Sequence, residues 1–249
     1  TEAIRFKVDE MAISEAVRLL TIRFDSPPPD LAPFRELAER LYRWPLMLEL
    51  ASATLRHRIG RGDTTAGALD YLSRKLDKQG VVAFDNRNAM DRHQAVASTI
   101  EVSLELLDAE ERRCCTELAI LPEDTDVPLS VASALWEMDD FDTEELVQRL
   151  DNFSLLKFSL QAATIRLHDV IQSYLETQLT EPEVLHSRLA DAWGDPHSLQ
   201  QDYSWRWLSY HLAESGRTEE LRRLLLDFEW LQEKLKATDA IALIADYEY

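Results

Sequence analysis

The sequence predicts a mainly α-helical chain built from a small helical bundle, a winged-helix domain with a β-hairpin wing, and a C-terminal helical arm. Three observations carry this expectation. Only six glycines occur in 249 residues, so few turns interrupt regular structure. Aliphatic residues recur at intervals of three and four, the period of an amphipathic helix. Residues 155–160 and 164–167, joined by Gln161-Ala162-Ala163, read as a hairpin that follows a run of helices.

Composition bounds the function. The hydrophobic fraction of 45% is ordinary for a globular core. A formal net charge of -19 opposes non-specific binding to nucleic acid or to an anionic membrane. No apolar run approaches the roughly 18 residues that span a bilayer, and no signal peptide opens the chain. Cys114 and Cys115 are adjacent, a spacing that rarely gives an unstrained disulfide. They read as small core residues in a reducing, cytoplasmic setting. No Cys or His pair has metal-ligand spacing, so no metal site is expected.

Taken in order, residues 3–8 alternate apolar and charged residues as a strand does. One strand is not stable alone, so its sheet partners are expected to lie outside this chain. Together with the absent initiator Met, this marks the chain as an expected piece of something longer. Residues 1–13 are then the remnant strand and linker of a preceding domain. Residues 14–93 form a helical domain and connector. Its helices start near Ser14, Asp30, Pro45 and Asp63, with a stripe of Leu48, Ala51, Leu55 and Ile59 in the third. Residues 94–180 form the winged-helix domain, with helices at 97–107, 115–121 and 129–136. Another is signalled by the Asp142/Glu145 capping-box spacing. Residues 181–249 form the arm, where Trp205, Trp207 and Trp230 are packing anchors and helix pairs repeat without a fixed period.

The stretch 164–174 is the most informative. A short strand-like segment runs into a helix that opens with His168-Asp169 and continues with Val170, Ile171 and Tyr174. The Asp can cap the helix or orient the imidazole. The ring can then donate a hydrogen bond to an anion such as a phosphate. Equally, the pair can do no more than start a helix. No catalytic residues are expected, because the other histidines (His57, His93, His186, His197, His211) show no nucleophile or metal spacing and the Asp/Glu runs read as solvated faces.

Two motifs point to a family. Arg43-Trp44-Pro45-Leu46 resembles the Gly-Leu-Pro-Leu motif of the NB-ARC (STAND-class) nucleotide-binding switch proteins. Leu167-His168-Asp169 resembles their Met-His-Asp motif. Four further stretches are similar to the apoptotic protease-activating factor branch: Leu118-Ala119-Ile120-Leu121-Pro122-Glu123-Asp124, Val127-Pro128, Leu135-Trp136-Glu137-Met138, and Trp207-Leu208-Ser209-Tyr210-His211-Leu212-Ala213. The resemblance implies ADP or ATP as cofactor in the full-length protein, with Pro45 near the adenine and His168 on the β-phosphate of ADP. It implies closure over ADP, rearrangement on exchange to ATP, and assembly into a homo-oligomer. Its expected partners are the protein's own nucleotide-binding domain and a downstream repeat domain. Arg43-Trp44 stands where the family has Gly-Leu, and Leu167 where it has Met. No Gly-x-x-x-x-Gly-Lys-Ser/Thr occurs, so the phosphate loop and its magnesium site are expected on the missing domain. This chain is not expected to be an enzyme by itself.

Two other classes fit parts of the pattern. A winged helix can bind DNA, but residues 129–136 contain no Lys or Arg and lie among Glu123, Asp124, Asp126, Glu137, Asp139 and Asp140. A helical-repeat scaffold for protein interactions fits the arm, and needs neither the wing nor His168.

Overall fold

The computed structural model describes residues 11–24, 26–78 and 89–249. The strand expected at 3–8 and residues 79–88 of the expected connector lie outside them. The described residues fall into two compact units, one drawn from 1–112 and 150–155, the other from 113–149 and 156–249. The chain is mainly α-helical with a small antiparallel sheet. No described helix is long and apolar enough to cross a membrane.

The first unit holds α1 (Ile13–Thr21), α2 (Ala32–Arg40), α3 (Pro45–Gly60), α4 (Thr65–Lys78) and α5 (Ala89–Leu104). Helices α1, α4 and α5 pack around α3, and α2 packs on α1. The expected single stripe on α3 is too narrow. Met47, Leu48, Leu50, Ala51, Ala53 and Leu55 are all buried, together with Ser52 and Thr54. A helix apolar on every side is a core helix. Its hydroxyls are satisfied, since Ser52 Oγ donates to the Leu20 carbonyl at 3.0 Å and Thr54 Oγ to Leu50 at 3.2 Å. Helix starts also differ slightly from expectation. The first N-cap is Ala12, whose N–H donates to the Glu15 carboxylate at 3.1 Å. This is the glutamate half of a capping box without its hydroxyl partner.

The second unit begins within α6 (Ala109–Glu117). A tight turn at 118–120 leads to β1 (Val127–Pro128), α7 (Leu129–Trp136) and α8 (Asp140–Asn152), followed by the hairpin of β2 (Lys157–Ser159) and β3 (Thr164–Arg166). Helix α8 starts earlier than the Asp142/Glu145 spacing implies, because Asp139 Oδ1 accepts the Asp142 N–H at 2.9 Å. The sheet order is β1-β3-β2, all antiparallel, with Ile165 opposite Val127 on one side and Phe158 on the other. Strand β1 lies between the helices expected at 115–121 and 129–136, where no strand is expected from the sequence. Two residues, one of them Pro, have no period to detect, and only pairing with β3 makes them a strand.

Helix α9 (Asp169–Glu176) packs on the 118–120 turn. The arm follows as α10 (Pro182–Ala192), α11 (Asp202–Glu214), α12 (Thr218–Leu225), α13 (Phe228–Ala237) and α14 (Ala240–Ala245). Trp205 and Trp230 are buried at its centre, rings 6.5 Å apart, with Leu208, Leu212, Leu221 and Leu224. Trp205 also donates its indole N–H to the Leu199 carbonyl at 3.1 Å. Trp207 is only half-buried. Lys234 is fully buried, its ammonium set on the Asp246 carboxylate and 3.4 Å from the Arg206 carbonyl. Burial pushes the Lys234 pKa down and the Asp246 pKa up. Mutual pairing is what makes both charges tolerable there.

Cys114 and Cys115 are buried in this unit and are not joined in a disulfide. Beside them, the Trp136 indole donates to the Cys114 carbonyl at 2.9 Å across buried space. Replacing Trp136→Phe keeps an aromatic ring but removes that bond. Urea unfolding of the variant is expected to show a loss of about 1 kcal/mol; no measurable loss would mean the bond does not contribute.

Candidate functional site

Pro45 is the first residue of α3, where its missing N–H costs nothing. It is exposed, whereas Met47 and Leu48 behind it are buried. The turn before it is unusual. Tyr42 and Arg43 both hold left-handed backbone, with φ 55° and 54°. That conformation lets Arg43 N–H reach the Ala38 carbonyl at 2.9 Å and Tyr42 N–H the Glu39 carbonyl at 3.0 Å. Two end carbonyls of α2 are thereby satisfied in the manner of a helix-ending left-handed turn. Arg43 occupies the position where the resembling motif has Gly, the residue for which this conformation has no steric cost. The departure in sequence therefore leaves the backbone geometry of a glycine turn in place.

His168 lies in the other unit, as the residue that caps α9 directly after β3. Leu167 and Ile171 on either side are buried, while the His168 and Asp169 side chains are 48% and 58% exposed. Backbone burial on both flanks fixes the Cα and leaves the ring in solvent. Asp169 Oδ1 accepts the Val170 N–H at 2.7 Å and also meets His168 Nδ1. Val170 N–H lies 3.3 Å from the same Nδ1. One nitrogen cannot both donate and accept, and the closer carboxylate decides it. Nδ1–H donates to Asp169, and Asp169 takes the Val170 N–H. Asp169 thus serves both expected roles, caging a helix-end donor and orienting the imidazole. Nε2 has no hydrogen-bond partner among the described residues and points its capacity outward. Helix α9 is itself anchored: the buried Gln172 amide donates to the carbonyls of Leu121 and, at 3.4 Å, Ala119. Among the described residues no group of three His, Cys, Asp or Glu side chains could hold a metal ion.

One cluster escaped the sequence reading. His186 on α10 and His211 on α11 are both buried and meet Nδ1 to Nδ1 at 2.8 Å. They are far apart in sequence, and only His211 falls in a stretch that carries the resemblance, Trp207 to Ala213, so no spacing signal could have joined them. His211 Nε2 is buried with no hydrogen-bond partner. An orphaned lone pair is less costly than an orphaned N–H, so His211 carries its proton on Nδ1 and donates to His186. Trp193 and Tyr210 pack edge-on around the pair. Burial pushes the His186 pKa down to about 4 and that of His211 well below its ordinary value, with His186 adding to the latter. Burial likewise pushes the Tyr210 phenol up to about 12 and the Tyr203 phenol higher still.

Residues 184–249 match the family described as the APAF-1 helical domain. Apoptotic protease-activating factor 1 of Danio rerio is 27% identical over 214 residues, covering 82% of this chain and 16% of the relative. The proteins of the same name from Homo sapiens and Rattus norvegicus are each 26% identical over the same shares. The chain is thus similar to a segment of these relatives and spans about a sixth of their length. This bears out the resemblance to the apoptotic protease-activating factor read from the motifs.

Arg43→Gly is expected to stabilise the first unit by about 1 kcal/mol, because the left-handed conformation penalises every side chain but hydrogen. A lowered thermal midpoint would contradict that. The histidine pair sets an acid limit. Both pKa values are depressed relative to about 6.5 in the unfolded chain, so the pair's stability is complete above pH 6.5 and is lost as pH falls through about 4. His186→Gln, whose amide does not titrate, is expected to flatten the unfolding free energy between pH 6.5 and 4 by up to about 1.4 kcal/mol per pH unit. Parallel wild-type and variant pH profiles would show that the pair is not responsible.

Proposed function

We propose that this chain is the regulatory middle segment of an NB-ARC signalling ATPase of the apoptosome type. In this reading residues 1–13 end the nucleotide-binding domain, 14–93 form its helical companion, 94–180 a winged helix, and 181–249 the second helical domain. The observation that carries it is His168: an exposed imidazole at the start of α9, oriented by Asp169 and placed directly after the hairpin. The order α6-β1-α7-α8-β2-β3 supports the winged-helix assignment.

Taken separately, each in its own unit, Pro45 and His168 offer chemistry suited to one part of an adenine nucleotide. With Nδ1–H engaged by Asp169, His168 offers Nε2, which donates to a phosphate oxygen in the imidazolium form. Pro45 offers an exposed apolar ring on a helix end held by buried neighbours. The nucleotide, when bound with its magnesium on the phosphate-loop domain, supplies the energy difference between states. His168 ties the winged helix to the ADP form, and loss of that contact on exchange frees the segment to rearrange and to oligomerise. Physically this is an equilibrium biased by a ligand that touches one state differently. The protein acts in the cytoplasm, and this segment does not hydrolyse ATP by itself.

DNA binding has little support. The helix directly before the hairpin is α8, not α7, and α8 carries one Arg, Arg149, against Asp140, Asp142, Glu144, Glu145 and Asp151. Such a face repels phosphates.

The test extends the chain upstream through its nucleotide-binding domain. Purified protein is denatured and the released nucleotide identified by chromatography. ADP is expected in the wild type, and at least about tenfold less retained ADP in His168→Ala, the loss of one charge-assisted phosphate contact. Folded protein that releases no nucleotide in either form would remove this reading.

A further inference from the structure

The first unit contains an open cavity of ≈ 460 Å³ at the far end of α3 from Pro45. Arg58, on its wall, lies thirteen residues along α3 from Pro45, about 20 Å at 1.5 Å per residue. The cavity is therefore separate from the motif assigned to adenine. Its charges are arranged in a definite way. Asp63 is occupied, because Oδ2 accepts from Arg58 Nε at 2.8 Å and Oδ1 from the Thr64 N–H at 2.8 Å. Glu105 is occupied by the Lys75 ammonium, and that bond holds the Lys75 pKa up. Two carboxylates in the wall are thus matched by two cations.

What remains is positive. Arg61 also lines the cavity and has no ion-pair or hydrogen-bond partner among the described residues for its guanidinium. Arg58 is rigid, with its guanidinium carbon 3.9 Å from the centre of the Tyr71 ring and Nε and one terminal nitrogen on Asp63. Its other terminal nitrogen is left without a partner among the described residues. His57 contributes a third nitrogen-bearing wall. Planar guanidinium groups with spare donors, one locked by stacking, match the oxygens of a phosphate rather than a cation or an apolar group.

We infer that this cavity is a binding site for a small free oxyanion, of the phosphate class, with Arg61 as its principal ligand and Arg58 as a preorganised second donor. A protein carrying -19 formal charge repels anions over most of its surface, so a site of this kind works at short range and weakens with salt.

The test is calorimetric titration of the chain with inorganic pyrophosphate at low ionic strength. Saturable binding is expected, weakened at least about tenfold in Arg61→Ala, an exposed position whose loss leaves the circular dichroism spectrum unchanged. Arg223→Ala, on the arm, and His168→Ala are expected to bind as the wild type does. Equal affinity in wild type and Arg61→Ala would overturn the assignment, as would the absence of saturable binding. Loss in His168→Ala instead would move the phosphate to α9 and also overturn it. A tetraglutamate peptide forms the second arm: binding of the peptide without pyrophosphate would replace a free oxyanion by an acidic protein partner. Neither arm involves the nucleotide-binding domain, so failure here leaves the proposed switch standing, and failure of the switch leaves this site standing.

Discussion

The double pairing of β3 is the constraint on which the candidate switch residue depends. Three residues, Thr164 to Arg166, are bonded to β1 on one side and β2 on the other. A strand this short has no stability alone. Held at both edges, it turns Ile165 fully into the core and delivers the chain at Leu167, also buried, to the start of α9. His168 is therefore presented from a backbone position fixed on both sides. Its side chain owes its freedom to that restraint, because the alternation of the strand sends residue 168 outward once 165 and 167 are inward.

The same economy governs the two units. In the first, residues 47–55 of α3 are buried apart from Glu49, so other helices must surround this stretch and its hydroxyls must bond internally. In the second, polar groups do enter the interior, and three sets of them are held in pairs: Gln172 on backbone carbonyls, Lys234 on Asp246, His186 on His211. Such pairs specify one arrangement of helices, since any slip leaves a buried polar group unmatched. They also have a cost. The imidazole pair is compatible only with two neutral rings, which builds an acid limit into the arm.

The turn before Pro45 shows how a motif can change in letters while its backbone persists. Arg43 stands at the glycine position and takes the conformation that glycine would take. The hydrogen bonds that close α2 require it, and they outweigh a side-chain penalty of roughly 1–2 kcal/mol.

By itself the sequence determined the helical class, the hairpin, the helix start at Pro45, the buried cysteines, and the His168-Asp169 start of α9. These are local matters, set by hydrophobic period, by turn chemistry and by the special backbone needs of Pro and Gly. Tertiary structure alone decided the rest. Strand β1 exists only because β3 lies beside it. The breadth of the buried surface on α3 depends on how many helices surround it. His186 and His211 meet because α10 packs on α11, and Arg58, Arg61 and Tyr71 line one cavity because α3 and α4 pack together. None of these has a sequence signal, for one physical reason: each is a contact between segments whose separation in the chain carries no information about their separation in space.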